Sequence, residues 1–293
     1  MIETVAQNLV FGILLGALYG LAAVGIAMVF GVTKFLNVAH GELLMFGGYA
    51  CFWLFNLFDL DPFLSLPITI AFLLLIGLIL YKLLFTRMVK LPTEEKIKNT
   101  MLVGFGLSLV LQNLALRLWT ADDRGITTAY SGESFMLLDV RFPYVRIAGL
   151  VISLICLFAL HQFLHKTYTG KAIRATVEDW EAASLTGIDI QKVYLISFLI
   201  GTALAGVAGS MVSVTFSINP SMGMHWTLKA LIVMVLGGLG NFMGTFVGGI
   251  LLGTTESLTA FFISGNYRQV VGLLLFLLVL ILKPQGLFGA KEK

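Results

Sequence analysis

Four histidines, two cysteines and sixteen carboxylates are the side chains here that could carry bond-making or ligand-binding chemistry. His40, His161, His165 and His225 are scattered. No two of them make up a ligand set of the zincin type, with its glutamate between two histidines. Cys51 and Cys156 fall inside apolar stretches without metal-ligand spacing and read as small buried hydrophobes. Gly170-Lys171 suggests a phosphate loop, but position 165 is His where the first glycine belongs, and Ala172 stands where a hydroxyl would hold magnesium. The pattern offers no catalytic residue, no metal site and no nucleotide site. What remains is a sparse polar set among apolar residues: Asn37, His40, Glu42, Lys229 and Glu256. Such groups are costly in hydrocarbon and face a cavity or a partner.

Each has a plain structural reading. His40 and Glu42 can cap a helix near a membrane interface, Lys229 can snorkel from the start of a short helix to the outer interface, and Glu256 can satisfy an interhelical hydrogen bond. The functional reading is a polar lining that passes a zwitterion without holding it.

The elements that must position these groups are membrane helices. Mean hydropathy is +0.94, 58% of the 293 residues are hydrophobic and 12% are charged, against about a quarter charged in soluble domains. Spanning candidates are 8–33, 41–58, 63–86, 100–119, 147–165, 193–216, 242–263 and 268–282, with a shorter apolar piece at 228–239. Backbone groups in lipid must be satisfied within the segment, and short alternating strands of a barrel are lacking. The fold class is therefore all-α: one polytopic domain over 1–293, with about eight to nine transmembrane helices, one or two of them broken or half-length. A net charge of +3 gives no footprint for nucleic acid.

Charge sets the orientation. Lys82, Arg87, Lys90, Lys96 and Lys98 follow the third segment; Lys166, Lys171, Arg174 and Lys192 follow the fifth; Lys283, Lys291 and Lys293 close the chain. The other loops carry Asp59, Asp61, Asp122, Asp123, Glu133 and Asp139. The positive-inside rule puts the basic loops in the cytoplasm, with the N-terminus outside and the C-terminus inside. The first basic residue is Lys34, so the first helix reads as a retained anchor and not a cleaved signal. This orientation needs an odd number of crossings, which the 228–239 piece supplies. At 1.5 Å per residue it reaches some 18 Å, so it must be a half-helix shielded by protein.

Glycine organises the rest. Gly12, Gly16 and Gly20 recur every four residues, as do Gly240, Gly244 and Gly248, followed by Gly249 and Gly253. Small residues so spaced let helices approach closely in lipid. Glycine-flanked breaks at 37–41 and 237–241 read in addition as unwound backbone beside a solute path. Gly237, Gly238 and Gly240 would then expose carbonyls at mid-depth beside that path, and Gly41 would end the first break.

The loop 166–192 is the most specific region. It reads Gly170-Lys171-Ala172-Ile173-Arg174-Ala175, then Glu178-Asp179-Trp180-Glu181-Ala182-Ala183-Ser184-Leu185-Thr186-Gly187-Ile188. Its middle has the form of a short helix, with acids at the start and Gly187 suited to a C-cap. These residues, with Asn37-Val38-Ala39-His40-Gly41-Glu42, Asn219-Pro220, Met222-Gly223, Leu228-Lys229-Ala230, Leu236-Gly237-Gly238-Leu239-Gly240 and Lys283-Pro284-x-Gly286-Leu287-Phe288-Gly289, resemble the permease subunit of branched-chain amino acid ABC importers, the LivH type. The loop 120–146 carries no motif of that family. The resemblance implies a multi-pass subunit of a bacterial plasma (inner) membrane. It would pair with a similar second permease, two cytoplasmic ATP-binding subunits and an external solute-binding protein. ATP and magnesium would sit on the ATPases, with no cofactor on this chain. The 175–188 segment would be the coupling helix, with Glu178, Asp179, Glu181, Ala182, Ala183 and Gly187 facing the ATPase.

Two other classes compete. An ion-coupled secondary transporter of small zwitterionic or amide solutes needs an inverted repeat and an intramembrane carboxylate, and Glu256 supplies only the carboxylate. A membrane-embedded enzyme needs a nucleophile–base or metal set, which the scattered histidines do not make. The cargo is branched-chain amino acids by resemblance, with urea and short amides as alternatives carried by similar chains.

Overall fold

A computed structural model describes residues 2–89 and 91–289. Lys90, Lys291 and Lys293, used above as topology signals, lie outside the described residues. In chain order the helices are α1 (Ile2–Thr33), α2 (His40–Phe58), α3 (Leu66–Leu80), α4 (Thr93–Trp119), α5 (Tyr144–Lys166), α6 (Tyr168–Glu178), α7 (Trp180–Leu185), α8 (Ile190–Thr215), α9 (Met222–Gly237), α10 (Phe242–Phe262) and α11 (Arg268–Leu282). A short hairpin of β1 (Ser134–Leu137) and β2 (Val140–Pro143) precedes α5. Among the described residues eight helices are long and apolar enough to cross a membrane, and α9 is the shorter apolar one. The chain is an all-α, multi-pass membrane protein.

The helices sort by what their surfaces meet. α1 and α8 form the buried centre, while α3, α4, α5 and α11 turn residues such as Leu75, Leu102, Phe158 and Ile281 outward. Burial in lipid gives little drive between apolar helices, so close backbone approach has to hold the centre together. α10 carries two glycine faces for this. Gly249 and Gly253 lie against Gly20 and Gly16 of α1, while Gly244 and Gly248 lie against the end of α9. The pair α2 and α8 meets the same way, through Gly47 on Gly206 and Gly209 on the Leu44 carbonyl.

Several boundaries differ from the sequence expectation. α4 begins at Thr93, seven residues before position 100, because Pro92 precedes it and Glu94 and Glu95 favour its positive end. Lys96 and Lys98 are thus helical rather than in a loop. α9 begins at Met222, six residues before position 228, since Trp226 and Thr227 are buried yet too polar to register as apolar sequence. Its 16 residues rise about 24 Å, still short of the ~30 Å core. α3 runs on through one π-helical turn, Tyr81–Phe85. The hairpin sits in the loop that carries no family motif. Leu138 and Asp139 form its two-residue turn with φ of 51° and 60°, a primed turn made without the usual Asn-Gly.

Candidate functional site: two breaks, a polar cluster and an exposed connector

The first break turns back into the bundle. α1 ends where Lys34 takes a left-handed conformation (φ 59°), and residues 35–39 return without regular structure. Asn37 is buried and its side-chain oxygen accepts from the Ala39 N–H at 3.2 Å. Leu36 N–H donates to Thr100 Oγ1 on α4 at 3.1 Å. His40 opens α2 with Nε2 3.1 Å from the Ala22 carbonyl, three turns before α1 ends. His40 and Glu42 are fully buried; neither caps a helix at an interface.

Glycine permits the crossing that follows. A β-carbon on Gly41 would overlap the Gly223 carbonyl oxygen, and one on Gly223 would overlap the Glu42 carboxyl. Gly41 N–H donates to Thr227 Oγ1 at 2.8 Å, and that hydroxyl donates to the Val38 carbonyl at 3.0 Å. Glu42 Oε1 accepts from Ser108 at 3.0 Å, whereas Glu42 Oε2 is buried with no hydrogen-bond partner. A buried carboxylate oxygen without a donor is costly.

The second break has a different setting. α9 ends at Gly237; Gly238 and Gly240 have φ of 103° and 85°, a region that favours glycine. The C-terminal segment closes over it: Leu287 N–H donates to the Leu236 carbonyl at 2.9 Å, and Phe288 N–H to the Gly237 carbonyl at 3.3 Å. Asn241 Nδ2 reaches the Phe288 carbonyl at 2.9 Å while its Oδ1 caps α10. Gly240 and Asn241 share a cavity with His165, Arg174 and Glu178, so this break lies at the basic end of the bundle. The expectation of open Gly237 and Gly238 carbonyls at mid-depth is corrected: the C-terminal segment occupies the Gly237 carbonyl and packs on Gly238.

The charged pair inside the bundle is Lys229 and Glu256. Lys229 is not at the start of α9 but in its middle, and it does not snorkel. Its ammonium donates to Glu256 Oε2 at 2.8 Å, Oε1 at 3.0 Å and Tyr19 OH at 2.6 Å. Tyr19 OH donates to Glu256 Oε2 at 2.9 Å. The two charged side chains are 12% and 4% exposed, so each is the other's principal solvation. Trp226 stands edge-on to Tyr19, and a cavity of about 180 Å³ lined by Leu15, Tyr19, Phe216, His225, Trp226 and Lys229 opens beside the ammonium.

The connector between α5 and α8 is two helices. Asp179 is extended, and its carboxylate accepts from Glu181 N–H at 2.9 Å and Ala182 N–H at 3.0 Å, starting α7. Gly187 ends it with φ 88°, and Ile188 N–H returns to the Ala183 carbonyl at 3.2 Å. Asp189 then caps α8; the Lys192 N–H and ammonium hold its carboxyl below the usual carboxylate range. Glu178 ends α6, lines the cavity at the basic end, and also lines a smaller one with Asp179 and Trp180 at the start of α7. Ala183 is 5% exposed and anchors α7 to the bundle, and Trp180 turns toward Lys96 of α4 in a small cavity shared with Tyr194, whereas Leu185 is 90% exposed.

The structure therefore joins Lys229 to Glu256, links the Gly41–Glu42 turn to the start of α9, and separates both from Gly237, Gly238 and Gly240. Residues missed in the sequence are Tyr19, Ser108, Gly223 and Thr227 around the polar groups, and Trp180 and Leu185 on the connector. A bare leucine in an acidic loop was the one available signal. His161 and His165 do stack, with centroids 4.1 Å apart, yet no group of three metal-ligating residues occurs among the described residues.

Known proteins give these features their context. Residues 8–280 match the family described as branched-chain amino acid transport system / permease component. The permease protein BraD of a high-affinity branched-chain amino acid transport system in Pseudomonas aeruginosa is 32% identical over 98% of this chain and 96% of its own length. The corresponding LivH of Salmonella typhimurium is 29% identical over the same shares. A chain of PsaBC from Streptococcus pneumoniae, solved in complex with Fab, has the same overall fold with a TM-score of 0.51, 11% identity and 97% of each chain covered. With its eight spans, its short α9 and a family match across nearly all of them, the chain belongs to the branched-chain amino acid transport system permease family.

Proposed function

We propose that this chain is the transmembrane permease subunit of an ABC importer for branched-chain or similar amino acids, driven by ATP hydrolysed on separate subunits. Its partners would be a second, related permease, two cytoplasmic ATP-binding subunits and an external solute-binding protein. ATP and magnesium belong to the ATPases. The basic end, with α6 and α7, faces the cytoplasm, and the hairpin faces outside.

The observation that carries this reading is α7. A six-residue helix, anchored by Ala183 and displaying Leu185, has an apolar tip that water disfavours and a protein groove would cover. Being stiffly capped at both ends, it can pass a movement of a docked subunit to α5 and α8. The Tyr19–Lys229–Glu256 cluster gives a zwitterion alternative partners at mid-depth, and the cavity beside it supports a path there. The pair is internally neutral, which fits an amino acid better than a lone cation.

Leu185→Asp in the assembled transporter tests this. Losing a buried leucine costs about 1.5–3 kcal/mol, or roughly 10–100-fold weaker docking. Uptake per inserted permease should fall accordingly while the permease stays folded. Normal uptake with bound ATPase would remove α7 from coupling. Uptake by the isolated chain under an ion gradient would favour the secondary-transporter reading. For orientation, Gly132→Cys is better than a cysteine at Tyr130, which is bonded to Asp61. In a chain lacking Cys51 and Cys156 it should react from outside, and Trp180→Cys only after permeabilisation.

A further inference from the structure

A cavity of about 590 Å³ lies at the basic end between α1, α5, α6 and the start of α10. Its walls are apolar: Leu157 and Leu160 of α5, Ile173 and Val177 of α6, Phe242 and Met243 of α10. Its rim is charged. Arg174 and Glu178 stand four residues apart on one face of α6 and both line it. Opposite charges so spaced usually pair, but here they do not. Among the described residues the ion pairs are Lys98–Glu94, Lys192–Asp189 and Lys229–Glu256. Arg174 spends its Nε–H on the Leu164 carbonyl at 3.1 Å, leaving its terminal N–H groups unassigned.

We infer that this cavity binds a phospholipid with a zwitterionic primary-amine headgroup, of the phosphatidylethanolamine class. The phosphate would meet Arg174, the ammonium Glu178, and the upper acyl chains the leucine-lined walls. Three observations select this occupant. Arg174 and Glu178 put a charge of each sign on the rim, beside the stacked His161 and His165, so a purely anionic headgroup would meet Glu178 as a repulsive neighbour. The site lies where α5, an outward-facing helix ending in His165 and Lys166, leaves the hydrocarbon, the depth at which headgroups sit. The volume far exceeds a small amino acid, which would leave most of it empty. The inference is independent of the cargo proposed above. It concerns the joint between α6 and the 237–241 break, because Gly240 and Asn241 form the cavity's far wall.

The test uses the assembled transporter in nanodiscs of phosphatidylcholine alone, or with a minor share of phosphatidylethanolamine or of phosphatidylglycerol. Lipid retained per complex is read by native mass spectrometry. Phosphatidylethanolamine should be retained about tenfold over the other two, the worth of one charge-assisted hydrogen bond. The preference should vanish in Arg174→Gln/Glu178→Gln, which keeps the net charge. It should vanish too in Val177→Trp, which fills the cavity from an exposed position. Equal retention of all three lipids, preference for phosphatidylglycerol, a preference that survives both variants, or crosslinking from position 177 to a second permease would each overturn it.

Discussion

The two glycine breaks look alike in sequence and differ in the fold. The break at 37–41 turns deep in the bundle, against α4 and the start of α9, and leaves one oxygen of Glu42 without a donor. The break at 237–241 lies at the basic end, where Leu287 and Phe288 take up the carbonyls of α9. α9 joins them, with Gly223 and Thr227 at one end and Gly237 at the other. Glycine alone therefore does not mark a path. What separates a path from a joint is whether the polar groups it frees are already satisfied.

The comparison is sharpest in steric terms. Gly41→Val puts a side chain into the Gly223 backbone and should cost more than ~4 kcal/mol, seen as loss of monodisperse protein after extraction. Gly240→Ala meets nothing within 4 Å and bears only its φ of 85°, about 1–2 kcal/mol. Equal yields of the two variants would erase the distinction.

A smaller effect is expected midway along α9. Lys229→Met leaves Glu256 buried and unpaired, a loss of about 3–5 kcal/mol measurable as a lower thermal midpoint. Lys229→Met/Glu256→Leu should recover most of that midpoint but not the uptake rate per assembled transporter. Full recovery of uptake would make the cluster structural.

At the basic-end break, Gly238→Leu combines a φ of 103° with overlap onto Gly289, a strain of roughly 1–3 kcal/mol. It should reduce the amount of transporter while leaving uptake per assembled copy unchanged. A drop per copy would return 237–241 to the path. The smallest stability change belongs to Glu42→Gln, which keeps the acceptor for Ser108 and should shift stability by about 1 kcal/mol or less. Uptake per copy should nevertheless fall; unaltered uptake would take the deep break out of the path as well.

Periodicity made the spans legible, since lipid demands about 20 apolar residues in a row. A short helix within 175–188 was legible too, because Asp179 is a strong start signal and Gly187 a strong stop signal, though the break between α6 and α7 at Asp179 was not. Depth was not. His40 lies three turns inside the bundle because of its contact with Ala22 and that of Gly41 with Thr227, and the closure of Gly237 depends on Phe288. Those partners are remote in sequence and carry no period of their own. The start of α9 was missed because His225, Trp226 and Thr227 dilute an apolar run. The inward setting of Ala183 was missed because a single turn of helix has too few residues to reveal its face.

The closure of the second break has a consequence for how the protein is made. The carbonyls of Leu236 and Gly237 are capped by Leu287 and Phe288, which leave the ribosome some fifty residues later. Chains emerge at ~5–20 residues per second, so α9 spends several seconds with an open end. During that interval it has neither the length to span alone nor the partners to rest in lipid. α9 is thus a late-setting keystone: α10 and α11 must be threaded first, and only then does the tail lock it from below. A slow-codon stretch between 263 and 285 would prolong this exposed stage. It should raise degradation of the nascent permease without altering any contact in the finished one.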